Sequence, residues 1–260
     1  MVTISDTQIN ALLGLFIWPF TRISGIMMAD PFYSSGSTPR TYKAGFALFL
    51  TLLVTPVLPK FPVIPLVSAE GVAMLIQQLL IGLSIGFVMR LVMGAVELAG
   101  LIIANQMGLG FATMFDPQNA SQVPTIATML TLFVTLLFLA FNGHQVVLAT
   151  LIDSFQVMPI GKTVPWQTWR VLAEWGSHLF FWGLWLALPV IAALLMTNLA
   201  IGVMTRASPQ FNIMSFGFPL TLTIGFVALY ISLPMMVPIV EQMYRAAFSF
   251  ALEMFRVTAK

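Results

Sequence analysis

Gly82-Leu83-Ser84-Ile85-Gly86 has the form Gly-x-Ser-x-Gly, the elbow that presents a nucleophilic serine in many hydrolases. With His144 or His178 as its base, such a serine would carry out acyl transfer. The elbow requires a strand-to-helix turn, and this one lies within a helical apolar run. Read as Gly82-x-x-x-Gly86, the same residues let two helix backbones approach closely, so helix packing is the expected role of this pair.

The other candidates for chemistry are thinner. Gly108-Leu109-Gly110-Phe111 has the glycines of the Gly-x-Gly-Asp element of intramembrane aspartyl proteases, but Phe111 stands where the aspartate is needed. Asp116 and Asp153 sit near expected loop boundaries, where a helix cap is the ordinary role of an aspartate. His144 and His178 are the only histidines and there is no cysteine. A zinc site needs about four such ligands, and thiol chemistry and disulfides are excluded. No Gly-x-x-x-x-Gly-Lys loop is present to hold nucleotide phosphates. Neither an enzymatic centre nor a cofactor is expected.

Five charges interrupt apolar stretches: Arg22, Arg90, Glu97, Glu174 and Arg206. A charge in such a position is costly, and it faces a bundle interior, a partner or water, or it snorkels to the membrane interface. Arg90 and Glu97 share a helix face, yet lie about 10 Å apart along the axis, too far for a direct bond without bending.

The elements that position these residues follow from composition. Of 260 residues, 59% are hydrophobic and 8% charged, against about 25% charged in an ordinary soluble domain. Crossing a hydrocarbon core takes roughly 20 helical residues. Val123 to Gly143, Leu179 to Thr205 and Phe211 to Val240 carry no charge at all. Thr7 to Ala29, Ala44 to Pro59, Gly71 to Met89 and Leu91 to Phe115 are further apolar runs. In lipid, helices satisfy their own backbone hydrogen bonds, and the alternation of a membrane β-barrel is missing. The expectation is an all-α, multi-span helical membrane protein, a single domain over residues 1–260. Asp6 with no early basic cluster argues against a cleaved signal peptide. A net charge of +2 without a basic run gives nucleic-acid binding no support.

The boundaries are uneven. Only Arg90 and Glu97 interrupt Gly71 to Phe115, which reads as one long bent helix or two. Gly143-His144 reads as a break, and the piece from Gln145 to Val157 is too short to span alone. Gln156 to Arg170 reads as a loop or surface segment whose Trp166 and Trp169 suit an interface. Pro189, Pro219, Pro234 and Pro238 are expected to kink or break the last two spans. The tail from Glu241 to Lys260, with Tyr244, Phe248, Ala251 and Phe255 recurring on one face, reads as an amphipathic terminal helix. Broken helices and intramembrane charges also suit a secondary transporter of a small solute, although no internal repeat is evident.

The most distinctive local stretch is Asn105-Gln106-Met107-Gly108-Leu109-Gly110-Phe111-Ala112-Thr113-Met114-Phe115-Asp116-Pro117. Glycine permits irregular backbone, methionine adapts to varied surfaces, and phenylalanine can block a narrow passage. The composition suits a channel constriction, and it equally suits a helix end followed by a turn.

Several segments in order resemble one family. They are Asn105 to Phe111, Phe141-Asn142-Gly143-His144, Asp153 to Gly161, Leu186-Ala187-Leu188-Pro189-Val190, and Ser208-Pro209-Gln210-Phe211-Asn212-Ile213 through Gly217-Phe218-Pro219. With Ile23-Ser24-Gly25, Pro31-Phe32 and Pro39-Arg40, they are similar to the FliR family of flagellar biosynthesis, related to SctT of injectisomes. The resemblance implies a core subunit of the type III export gate in the bacterial inner membrane, within the flagellar basal body. It implies FliP and FliQ as partners in a helical hetero-oligomer around a channel, with FlhB and FlhA nearby and unfolded flagellar proteins as the exported substrates. Proline-kinked, broken helices would then pack largely against partner helices. In the family a loop of this region closes the channel. Here it falls on about Gln106 to Gln122, with Gln106, Met107, Gly108, Gly110, Phe111, Met114, Phe115, Asp116 and Pro117 as the plug.

Overall fold

The computed structural model describes residues 6–34, 36, 38–59, 63–110, 125–208 and 213–257. Eight α-helices are assigned among them: α1 (Asp6–Ala29), α2 (Arg40–Val54), α3 (Ala69–Gln106), α4 (Thr125–Ala140), α5 (Gly143–Val157), α6 (Trp166–Trp175), α7 (His178–Ala207) and α8 (Ile213–Val257). The protein is an all-α membrane protein. Among the described residues, four stretches are long and apolar enough to cross a bilayer: Asn10–Ala29, Ala69–Gln106, Trp166–Ala207 and Phe216–Arg256. Counting α4 and α5 as one broken span raises the number to five. With 15 residues, α2 rises about 22 Å, short of the roughly 30 Å of a hydrocarbon core.

The long apolar run after residue 69 is one helix, α3, of 38 residues. Its apolar residues lie on all sides, as befits a helix enclosed by others, and 67% of its most apolar window is buried. The corresponding shares are 33% for Trp166–Ala207 and 28% for Phe216–Arg256.

The structure sets three boundaries that the sequence left open or placed elsewhere. Pro189 lies inside α7, and Pro219, Pro234 and Pro238 lie inside α8, without ending either helix. Each proline forfeits one backbone hydrogen bond, and in transmembrane helices such a loss is tolerated where neighbouring groups compensate. The tail is not a separate helix but the last part of the 45-residue α8. Its amphipathic pattern is present: Tyr244, Ala247, Ala251 and Phe255 are buried, whereas Arg245, Ser249, Glu253 and Arg256 are exposed. The stretch from Gln156 to Arg170, read as a loop or surface segment, is helical from Trp166, following Pro165 at the cap position, and Trp166 is exposed.

The chain divides into two compact units. The first gathers the chain up to Leu91, Asn142–Gly176 and the chain from Tyr244 onward. Its core includes Trp18, Ile26, Ile81, Ile85, Phe155 and Phe255. Within it α1 crosses α3 at glycines. A Cβ on Gly25 would meet the Leu79 carbonyl oxygen at 2.6 Å, and one on Gly82 would collide with the Arg22 carbonyl. Trp175 of α6 stacks on Phe250 of α8 with ring centroids 4.7 Å apart. The second unit comprises Val92–Phe141 and Ser177–Met243, with Ile103, Met107, Val134, Phe138, Leu186 and Val190 in its core. Here a Cβ on Gly100 would strike the backbone of Ala127, so α3 and α4 are in close contact.

Candidate gating segment and buried charges

The first residues of the expected plug form the end of α3. Leu109 N–H donates to Ala104 O at 3.0 Å, and Gly108 N–H donates to Asn105 O at 3.1 Å. This pair of bonds is the Schellman closure of a helix, and it requires a left-handed residue. Gly108 supplies it with φ of 84°. Met107, just before the glycine, is fully buried. Thr221 Oγ1 donates to its carbonyl at 3.3 Å, and a Cβ on Gly225 would press on its side chain at 2.6 Å. Met107 is thus held against α8, while Gln106 and Gly110 are only partly buried. Phe111, Met114, Phe115, Asp116 and Pro117 lie outside the described residues.

Arg22 is completely buried in the first unit. Its Nε donates to Gln78 Oε1 at 2.8 Å, Nη1 to Ser154 O at 2.9 Å and Ser154 Oγ at 3.2 Å, and Nη2 to Met158 O at 2.9 Å. The guanidinium carbon sits 4.1 Å from the centroid of the Phe155 ring. Among the described residues it faces no carboxylate. Ser154 and Met158 mark the C-terminal end of α5, where free carbonyls and the negative end of the helix dipole suit a cation. A fork of several donors on one rigid plane meets these divergent acceptors as an ammonium cannot.

Asp30 closes α1. Its Oδ1 accepts the N–H groups of Phe32 (2.9 Å) and Tyr33 (3.1 Å), while its buried Oδ2 has no partner among the described residues. Burial raises the carboxyl pKa to about 6, against the partial opposition of those two backbone bonds. Tyr33, whose own pKa is raised by burial and by the Asp30 charge, donates from its hydroxyl to His144 O at 3.2 Å. His144 Nδ1 is likewise buried, without a partner among the described residues. Sequence reasoning missed Asp30, since an aspartate before a proline reads as a simple turn residue.

The remaining singled-out charges are placed differently. Arg90, Glu97 and Arg206 are exposed, and Arg90 and Glu97 form no ion pair among the described residues. Glu174 pairs with Arg170 at 2.8 Å on the exposed face of α6. Asp153 is exposed, and His178 lies against Trp182 with ring centroids 5.0 Å apart. Ser84 is buried mid-helix, with Oγ donating to Ile81 O at 2.8 Å. No elbow surrounds it. Gly82 and Gly86 instead face α1, where a Cβ on Gly86 would meet Asp30 N at 2.7 Å.

Residues 13–247 match the model of "Bacterial export proteins, family 1". The chain is 37% identical over 250 residues to the flagellar biosynthetic protein FliR of Escherichia coli (strain K12), covering 96% of this chain and 95% of that one. This chain belongs to the FliR family. It is also 38% identical to FliR of Pectobacterium carotovorum subsp. carotovorum, over 95% of each chain. FliR of Bacillus subtilis (strain 168) is 27% identical, over 95% of this chain and 96% of its own length. Membership of the FliR family makes the chain a flagellar export component and leaves the small-solute transporter without support.

In this FliR-family chain, the segments that carried the resemblance fall at helix ends and crossings. Phe141 to His144 is the break between α4 and α5, with Asn142 in the left-handed region at φ of 55°. Asp153 to Gly161 covers the end of α5, which Arg22 caps, and a turn in which Gly161 has φ of 98°. Leu186 to Val190 is the proline-containing middle of α7, with Leu186, Ala187 and Val190 buried and Leu188 exposed.

Proposed function

We propose that this chain is a non-enzymatic core subunit of the flagellar export gate in the bacterial inner membrane. It assembles with FliP and FliQ, close to FlhB and FlhA, around a channel for unfolded flagellar proteins. Full-length similarity to proteins named FliR carries this reading. The large apolar side chains exposed on α7 and α8, such as Phe180, Trp185, Met196, Tyr230 and Met235, suit burial against partner helices.

The segment from about Gln106 to Gln122 is the channel plug. The anchoring of Met107 under Thr221 and Gly225 supports this, because a closure hung from a rigid helix end returns to one resting position. Substrate arrival shifts the plug between two arrangements.

Native mass spectrometry of the chain co-expressed with FliP and FliQ, paired with solute leakage in cells, tests the proposal. A defined hetero-complex that still forms after deletion of Gly108 to Phe115, in cells that become leaky, is the expected result. An intact complex with unchanged permeability sinks the plug, and a chain that ignores both partners sinks the gate.

A further inference from the structure

A cavity of about 540 Å³ lies between α1 and α2, a size typical of small-ligand sites. Its two ends differ in chemistry. At one end stand Arg40 and Lys43; along the rest lie Phe20, Met27, Met28 and Ala44. No acidic side chain is among the described residues lining it. Lys43 Nζ donates to Ser34 O at 2.9 Å, which fixes the ammonium at the mouth and leaves two of its three N–H groups for a ligand.

The direction of the cavity matches a bilayer. The apolar span Asn10–Ala29 stops just before the loop that leads to Arg40, so the basic end is at the level of the membrane boundary. From Met28 back to Phe20 the helix descends about 12 Å, along a wall of Met28, Met27 and Phe20 in which Ser24 is the polar lining residue. The neighbouring surface of α2 is apolar as well, with Tyr42, Phe46, Phe49 and Leu53 exposed. An anionic headgroup at Arg40 and Lys43, with a hydrocarbon tail beside Met27 and Phe20, satisfies both ends at once. A free phosphate would leave the apolar wall uncovered.

We infer that the cavity between α1 and α2 is a binding site for an anionic phospholipid, with Arg40 and Lys43 holding its phosphate and the α1 wall its acyl chain.

The test uses the full-length chain, delipidated in mild detergent and titrated with dioleoyl phosphatidylglycerol or dioleoyl phosphatidylcholine under native mass spectrometry. The wild-type chain is expected to retain phosphatidylglycerol preferentially. In R40Q/K43Q its affinity falls about 25-fold, roughly fivefold for each basic side chain lost. Ala44→Trp, which fills the apolar part and keeps both charges, also weakens binding, and soluble glycerol phosphate does not compete. Equal retention of the two lipids, or undiminished phosphatidylglycerol binding by R40Q/K43Q, overturns the site. Competition by glycerol phosphate at equal concentration assigns the cavity to a free phosphoester and overturns the lipid. A wild-type chain that binds neither lipid, while Arg40 cross-links to an acidic segment of a co-purified subunit, overturns it too. Should circular dichroism show the double variant unfolded, Arg40→Gln alone decides, since Arg40 is exposed; a fivefold loss is expected and no loss refutes.

Discussion

Nη2 of Arg22 lies 2.9 Å from the main-chain oxygen of Met158, 136 residues further along the chain. That bond, with those to Gln78 and Ser154, makes one side chain the tie between α1, α3 and α5.

Replacing Arg22 therefore disrupts three helices together. Arg22→Met removes the charge but takes the donor from Gln78 Oε1 and the Met158 carbonyl, and should cost about 3 kcal/mol. Arg22→Lys keeps the charge but not the fork, and should recover less than half of that loss. Thermal unfolding in detergent, followed by tryptophan fluorescence, reads both. A lysine variant as stable as wild type would show that charge alone, not the divergent donors, secures the site.

Asp30 predicts an inverted pH dependence. Its folded pKa of about 6 exceeds the ordinary 3.8, so the fold favours the protonated carboxyl. That contribution is complete below pH 3.8 and is lost as pH rises through 6. Asp30→Asn keeps an oxygen for the Phe32 and Tyr33 N–H groups and removes the buried charge. At pH 7.5 it should stabilise the protein by on the order of 2–3 kcal/mol, and the gain should shrink toward zero near pH 4. A gain that does not vary with pH would dismiss the buried charge as its cause.

Two glycine-to-alanine changes should have opposite signs. At Gly82 a Cβ would run into the Arg22 carbonyl, and because backbone cannot step aside cheaply, Gly82→Ala should cost about 3 kcal/mol. At Gly202, exposed in α7 with nothing within 4 Å of an added Cβ, alanine should stabilise by about 0.5–1 kcal/mol. Equal shifts in melting temperature at the two positions would contradict the close crossing of α1 and α3.

The sequence was most readable where a local rule governs the outcome. The apolar runs yielded the membrane-crossing helices. Gly143-His144 read as the break before α5, and the structure turns one residue earlier, at Asn142, because asparagine tolerates left-handed backbone. Arg22 was visible as a costly charge, but its partners were not: two of its acceptors are main-chain carbonyls, which leave no trace in residue identity, and all lie at least 56 residues away. Asp30 was invisible for a related reason. Its environment is made by burial, and Asp-Pro at a helix end reads as a turn wherever it occurs. The prolines of α7 and α8 left kink and break both open, because a local rule weighs only the one lost hydrogen bond, whereas these helices of 30 and 45 residues continue past each proline.

The distance in sequence between Arg22 and its acceptors also bears on synthesis. When α1 leaves the ribosome, the carbonyl of Ser154 is 132 residues from existing. At about 5–20 residues per second this is an interval on the order of ten seconds. During it the guanidinium has to find water, lipid phosphate or the insertion machinery, since apolar surroundings would leave it uncompensated. α1, made before the helices it is tied to, thus settles only after them, and its final seating reports that α5 has arrived.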